Sequence, residues 1–237
     1  MTASELLVAN LGAALLLLAA AGLLVTRRAR LCRSFLAYLL VVTAGSLLAT
    51  WIPHVFFTQW FWIAKKGIYG IFRGLIALEV VLLTFSEMPR ARRRAELLLG
   101  LVLAVHLGVA LLPKGPADPY LLALGVSAPQ QDTASLWLFV AAMLIAMWHR
   151  APVHPFHRGL LLTFTLYLGF ETWLLGLLGL AGGSSRSAYL AAYSYVAAIN
   201  PLAYALTAGF WTWSAWRAEP ATSLSPAVAS RLQPWAA

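Results

Sequence analysis

The sequence predicts an all-α, polytopic membrane protein with seven transmembrane helices, and three observations predict it. The first is composition. The chain of 237 residues is 61% hydrophobic and 11% charged, with mean hydropathy +0.79, whereas soluble domains carry about 25% charged residues. The second is segmentation into apolar runs near the roughly 20 residues that a crossing helix needs. The third is charge placement. Twelve of the 17 Lys and Arg residues follow alternate runs: Arg27, Arg28, Arg30 and Arg33; Arg90, Arg92, Arg93 and Arg94; Arg150 and Arg158; Arg217 and Arg231. The intervening connections hold only Lys114 and Arg186. Because cytoplasmic loops concentrate Lys and Arg, this alternation sets the N-terminus outside and the C-terminus in the cytoplasm.

The expected domain is 1–217, with helices at about 6–26, 34–53, 60–85, 95–113, 134–149, 159–180 and 187–216. The first is expected to be a retained helix, since the arginines follow its apolar run instead of preceding it. The third is long and holds Lys65, Lys66, Arg73 and Glu79. The fifth is short and must borrow polar residues at its outer end. The seventh is long enough to tilt, or to break near Pro201. Trp51, Trp60, Trp62, Trp137, Trp148, Trp211, Trp213 and Trp216 lie near expected ends, where indole rings favour the headgroup level. The outer connection 114–133 is expected to form an interfacial helix or a lid. The tail 218–237, rich in Pro, Ala and Ser, is expected to be a loosely ordered cytoplasmic segment.

The +9 charge does not imply nucleic acid, because the cations sit in short loops that orient the helices and face anionic lipid. Cys32 is the only cysteine; a small packing residue is the simpler reading, with palmitoylation conceivable. His149, His154 and His157 share a loop with prolines and arginines and show no familiar ligand spacing. They read as part of a solvated basic loop. No cofactor or metal is expected, and no catalytic constellation is specific enough to name.

Charge at membrane depth is costly, so such groups face the bundle interior and find partners. On the third helix Lys65, Lys66, Tyr69, Arg73 and Glu79 fall within an arc of roughly 140°. Lys65 and Lys66 are near enough to the outer surface to snorkel. Arg73 lies about 10 Å deeper than Lys66, and Glu171 lies about 13 Å inside the outer end of helix six. Their depths match, which makes them the expected interhelical ion pair. Glu79 has no cation at its level and is a candidate proton relay. Thr163, Tyr167 and Glu171 align on helix six; Tyr189, Tyr193, Asn200, Tyr204 and Thr207 share an arc of about 60° on helix seven. The expected ligand-lining set is therefore Arg73, Glu79, Glu171, Asn200, Tyr69, Tyr167 and Tyr193. Interhelical hydrogen bonding alone also accounts for the Tyr and Thr residues.

Asn200-Pro201-Leu202-Ala203-Tyr204, with Phe210 beyond, resembles the seventh-helix signature of G-protein-coupled receptors, although Ser86-Glu87-Met88-Pro89-Arg90 ends helix three where they carry Asp-Arg-Tyr. A kink at Pro201, with Asn200 satisfying a freed backbone group, is the simpler reading. Phe61-Trp62, Leu78-Glu79-Val80 before a basic loop, and Gly169-Phe170-Glu171 resemble a group of uncharacterised bacterial seven-helix integral membrane proteins. The resemblance implies topology and no activity, and members often carry an acid where this chain has Lys65 or Lys66.

The expected function is a multi-pass protein of the bacterial inner membrane whose polar interior site binds a small molecule or lipid, for sensing or transport. Arg73 would hold an anionic group and Glu171 would orient Arg73. The alternatives are a structural or assembly subunit of a membrane complex, or a membrane-embedded enzyme.

Overall fold

A computed structural model describes residues 3–56, 58–111 and 128–217, and every regular element among them is helical. We number them α1 (Ala3–Val25), α2 (Arg33–Trp51), α3 (Pro53–Phe56), α4 (Gln59–Thr84), α5 (Pro89–Leu111), α6 (Ala128–Trp148), α7 (Pro155–Ser184) and α8 (Arg186–Trp216); a 3-10 turn at Arg28–Arg30 joins α1 to α2. Four of these contain stretches long and apolar enough to cross a membrane: Leu6–Val25, Arg33–Trp51, Trp60–Thr84 and Pro155–Ala181. That is the make-up of a membrane protein.

The boundaries differ from expectation where polar residues extend a helix. Helix α5 begins at Pro89, so Arg90 to Arg94 form its first turns instead of a loop; proline suits the first helical position, where its missing N–H has no partner to lose. Helix α6 begins at Ala128, bringing Gln130, Gln131 and Asp132 into a helix that the apolar pattern starts at 134. Helix α8 runs unbroken past Pro201. The tail 218–237 and most of the outer connection, 112–127, lie outside the described residues.

Helices α1, α2, α4, α6, α7 and α8 follow one another around the bundle, α8 closing back on α1, while α5 stands outside against α4 and α6. The α1–α8 seam is close because small residues let the backbones approach. Ala13, Ala19 and Ala20 are buried, and a Cβ on Gly22 would lie 2.6 Å from Trp216 Nε1. Trp216 Nε1 donates to Leu18 O (3.0 Å) and Thr212 Oγ1 to Leu15 O (2.8 Å). The centre is aromatic. Phe35 and Tyr38 of α2 meet Phe164 of α7 and Trp211 of α8 edge-on at 5.4 to 6.1 Å, and Phe139 of α6 stacks on Phe164 at 4.6 Å. Trp211, expected at an interface, is instead 1% exposed in this core; Trp60 and Trp148 remain outside at 79% and 85%.

Four of the basic connections converge at one end of the bundle. Arg28 donates to Ser214 O and Arg217 O at the end of α8, where cations complement the helix dipole. His157 Nε2 lies 2.9 Å from Leu31 O, and His149 packs edge-on against Phe85. Arg28 and His157 are therefore joints between helices, and His154 and His157 are buried instead of lying in a solvated loop. His154 caps α7 by accepting from Phe156 N.

Candidate functional site

Three helices bring four charges together. From α4, Lys66 and Arg73 lie seven residues apart, two helical turns, and so share one face. Opposite them stand Asp132 in the first turns of α6 and Glu171 midway along α7. Lys66 Nζ donates to Asp132 Oδ2 (2.8 Å) and to Glu171 Oε1 (3.0 Å). Arg73 donates through one terminal nitrogen to Asp132 Oδ1 (2.5 Å), and its other terminal nitrogen lies 3.8 Å from Glu171 Oε2. Two cations and two carboxylates alternate, so the quartet is formally neutral. Side-chain exposure is 1% for Asp132, 5% for Arg73, 9% for Glu171 and 21% for Lys66; only Lys66 is appreciably reached from outside.

Burial of charge is tolerated here because each group faces opposite charge, and the mutual attraction offsets lost solvation only when geometry is good and remaining valences are filled. Here they are not all filled. Arg73 Nε and Glu171 Oε2 are buried without a hydrogen-bond partner, as are Tyr204 OH and Asn200 Oδ1 on α8. Aromatic residues border the group. Tyr69 OH donates to Val42 O (3.2 Å), and the Tyr167 and Tyr204 rings lie 5.8 Å apart. Gly45 makes room for Tyr69: a Cβ there would stand 2.6 Å from its hydroxyl. Lys65 turns away from the quartet, its ammonium 3.5 Å from the Trp62 ring centroid, a cation–π contact.

The expected lining set divides. Arg73, Glu171, Tyr69 and Tyr167 are all buried, the first two in direct contact. Asn200 does not donate to the backbone segment freed by Pro201. Tyr193 is 54% exposed and stacks on Tyr189. The 100° geometry aligns these tyrosines with Tyr204, but Tyr189 and Tyr193, near the start of α8, remain exposed. Glu79 serves elsewhere. Its oxygens accept from the backbone N–H of Arg33 (3.0 Å) and Ser34 (2.8 Å), completing an α2 N-terminus whose N-cap, Cys32, provides no side-chain bond. A carboxylate at a helix start meets unpaired N–H groups and the positive dipole end, so Glu79 acts as a cap of α2.

Two members of the quartet escaped the sequence reading. By sequence alone Lys66 reads as a residue near enough to the outer surface to snorkel. Asp132, on the same reading, falls in the outer connection 114–133, ahead of the apolar run that starts at 134. The signal for Asp132 was the shortness of the fifth apolar run: fifteen residues, 134–148, fall short of a crossing, and a helix extended outward from Ser135 must include Asp132.

No known protein family, curated protein or solved structure matches the chain.

Proposed function

We propose that this chain is a multi-pass protein of the bacterial inner membrane, crossing seven times with the N-terminus outside and the C-terminus in the cytoplasm. Its polar interior site binds a small molecule or lipid headgroup, for sensing or transport. The observation that carries the reading is the quartet: four charges gathered from three helices, with Arg73 Nε and Glu171 Oε2 left without hydrogen-bond partners, as charged sites in membranes normally mark function. The orientation is supported by the basic connections meeting at one end. A ligand reaches Arg73 only by displacing a carboxylate, so it must bring an anionic group of its own, and Lys66 is the side chain it meets first. Native mass spectrometry of the chain purified from its own membranes tests this. A retained small molecule or lipid, lost in Arg73→Lys while the fold persists, is the expected result.

The neutrality of the quartet favours a second reading, a structural or assembly subunit in which the charges only hold α4, α6 and α7 together. That reading requires no retained ligand and a protein partner in fixed ratio, so the same preparation separates the two.

A further inference from the structure

A second feature lies at the basic end, on the helix that stands outside the bundle. Met88, Pro89, Arg90, Ala91 and Arg94, at the start of α5, line a cleft of about 480 Å³ with His149 from the end of α6. The arginines here are not equivalent. Arg92 Nε donates to Glu96 (2.8 Å) and is neutralised within its own helix. Arg90 and Arg94 have no acidic partner among the described residues. They are four residues apart, so their side chains rise from one face about 6 Å apart. Two guanidinium groups at that spacing suit the oxygens of a phosphate, which they grip with paired N–H donors.

The same face continues as hydrocarbon. At 100° per residue, Arg90, Arg94, Leu97, Leu98, Leu101 and Val105 fall within an arc of roughly 100°. The four apolar residues are 66%, 45%, 59% and 53% exposed respectively. Because α5 packs mainly against α4 and α6, that stripe is left exposed among the described residues along the helix above the cleft. A basic foot beneath an uncovered apolar stripe is complementary to a molecule with an anionic head and acyl chains. A soluble phosphate would use the foot and leave the stripe bare.

We propose that the α5–His149 cleft holds the phosphate of an anionic phospholipid, whose chains lie along Leu98, Leu101 and Val105. The site needs only that the apolar helices lie in a bilayer, and it is independent of the quartet. The full chain in mild detergent is mixed with chain-matched phosphatidylglycerol and phosphatidylcholine, and retained lipid is counted by native mass spectrometry. Wild type retains phosphatidylglycerol preferentially. In R90Q/R94Q the preference falls about thirtyfold, as the loss of two interfacial cations implies, while R92Q keeps it. An equal loss in R92Q overturns the site, because it reveals general attraction to a basic surface. Displacement of the lipid by millimolar inorganic phosphate also overturns it, since the foot alone then suffices. Should the double variant fail to fold, the lipid preference and phosphate resistance of wild type carry the test, and absence of either refutes the proposal.

Discussion

The aromatic core and the charge quartet sit in the same bundle and are built on opposite terms. Phe35, Tyr38, Phe139, Phe164 and Trp211 join α2, α6, α7 and α8 through ring contacts that tolerate small adjustments, and all five are at most 1% exposed. The quartet joins α4, α6 and α7 through contacts that are worth something only while all four groups remain. Packing loses stability in proportion to what is removed; a buried charge network fails as a unit, since any deletion strands its partners. The difference teaches which part of the molecule yields gradually to substitution and which part yields all at once.

Breaking the network from one side should therefore have the largest effect. Asp132→Ala leaves Lys66 and Arg73 facing each other beside one carboxylate, and breaking a buried pair costs about 3–5 kcal/mol. Thermal unfolding in detergent measures it. Replacing Arg73 and Asp132 together by Met and Leu should recover much of that loss, and a double variant as unstable as the single one would refute the network. In the core, Phe164→Ala should cost about 3 kcal/mol without changing any charge-dependent binding. Gly45→Ala acts at the border of the two regions: its Cβ meets the Tyr69 hydroxyl, and overpacking of this kind costs about 1–3 kcal/mol. Glu79→Ala removes an N-terminal cap of α2, with an expected loss of about 1 kcal/mol, and should leave ligand retention unchanged; lost retention would return Glu79 to the site.

The smallest effect concerns Cys32, outside the apolar segments and 1% exposed. Burial first, then the nearby Glu79 carboxylate, push its thiol above the ordinary range. An acid whose folded-state pKa is raised contributes stability below its unfolded-state pKa, and that contribution is lost as pH rises through the folded value, on the alkaline side. Maleimide labelling of the folded chain near pH 7 should be slow and should accelerate on unfolding. Rapid labelling of the native protein would contradict this burial.

Much of the helical plan was legible because apolar run length and tryptophan placement are local properties. Helices α2, α4 and α8 begin or end within a residue or two of where the residues suggest. Depth and helical angle together place Arg73, Glu171, Tyr69 and Tyr167 on inward faces, and all four are buried. What escaped was the polar helix start. Asp132 and Arg90 to Arg94 look like loop because polarity is ordinarily a sign of solvent, and only neighbours at the same depth reveal that a polar residue is held inside a helix. Tyr193 differs in the opposite sense: it shares the angular arc of Tyr204 yet is exposed, because alignment along one helix does not ensure cover by another.

By itself, then, the chain's order of residues predicted an all-helical membrane protein with seven crossings, and four helices are shown long and apolar enough to cross, since hydrocarbon compatibility is summed locally over each run. Only the tertiary structure decided which charges meet: that Asp132 rather than Glu171 lies closest to Arg73, that Lys66 joins them, and that Glu79 caps α2. The physical reason is that pairing depends on the rotation and relative height of helices far apart in the chain, and those are set by packing around Phe164, Trp211 and the glycines that permit close approach.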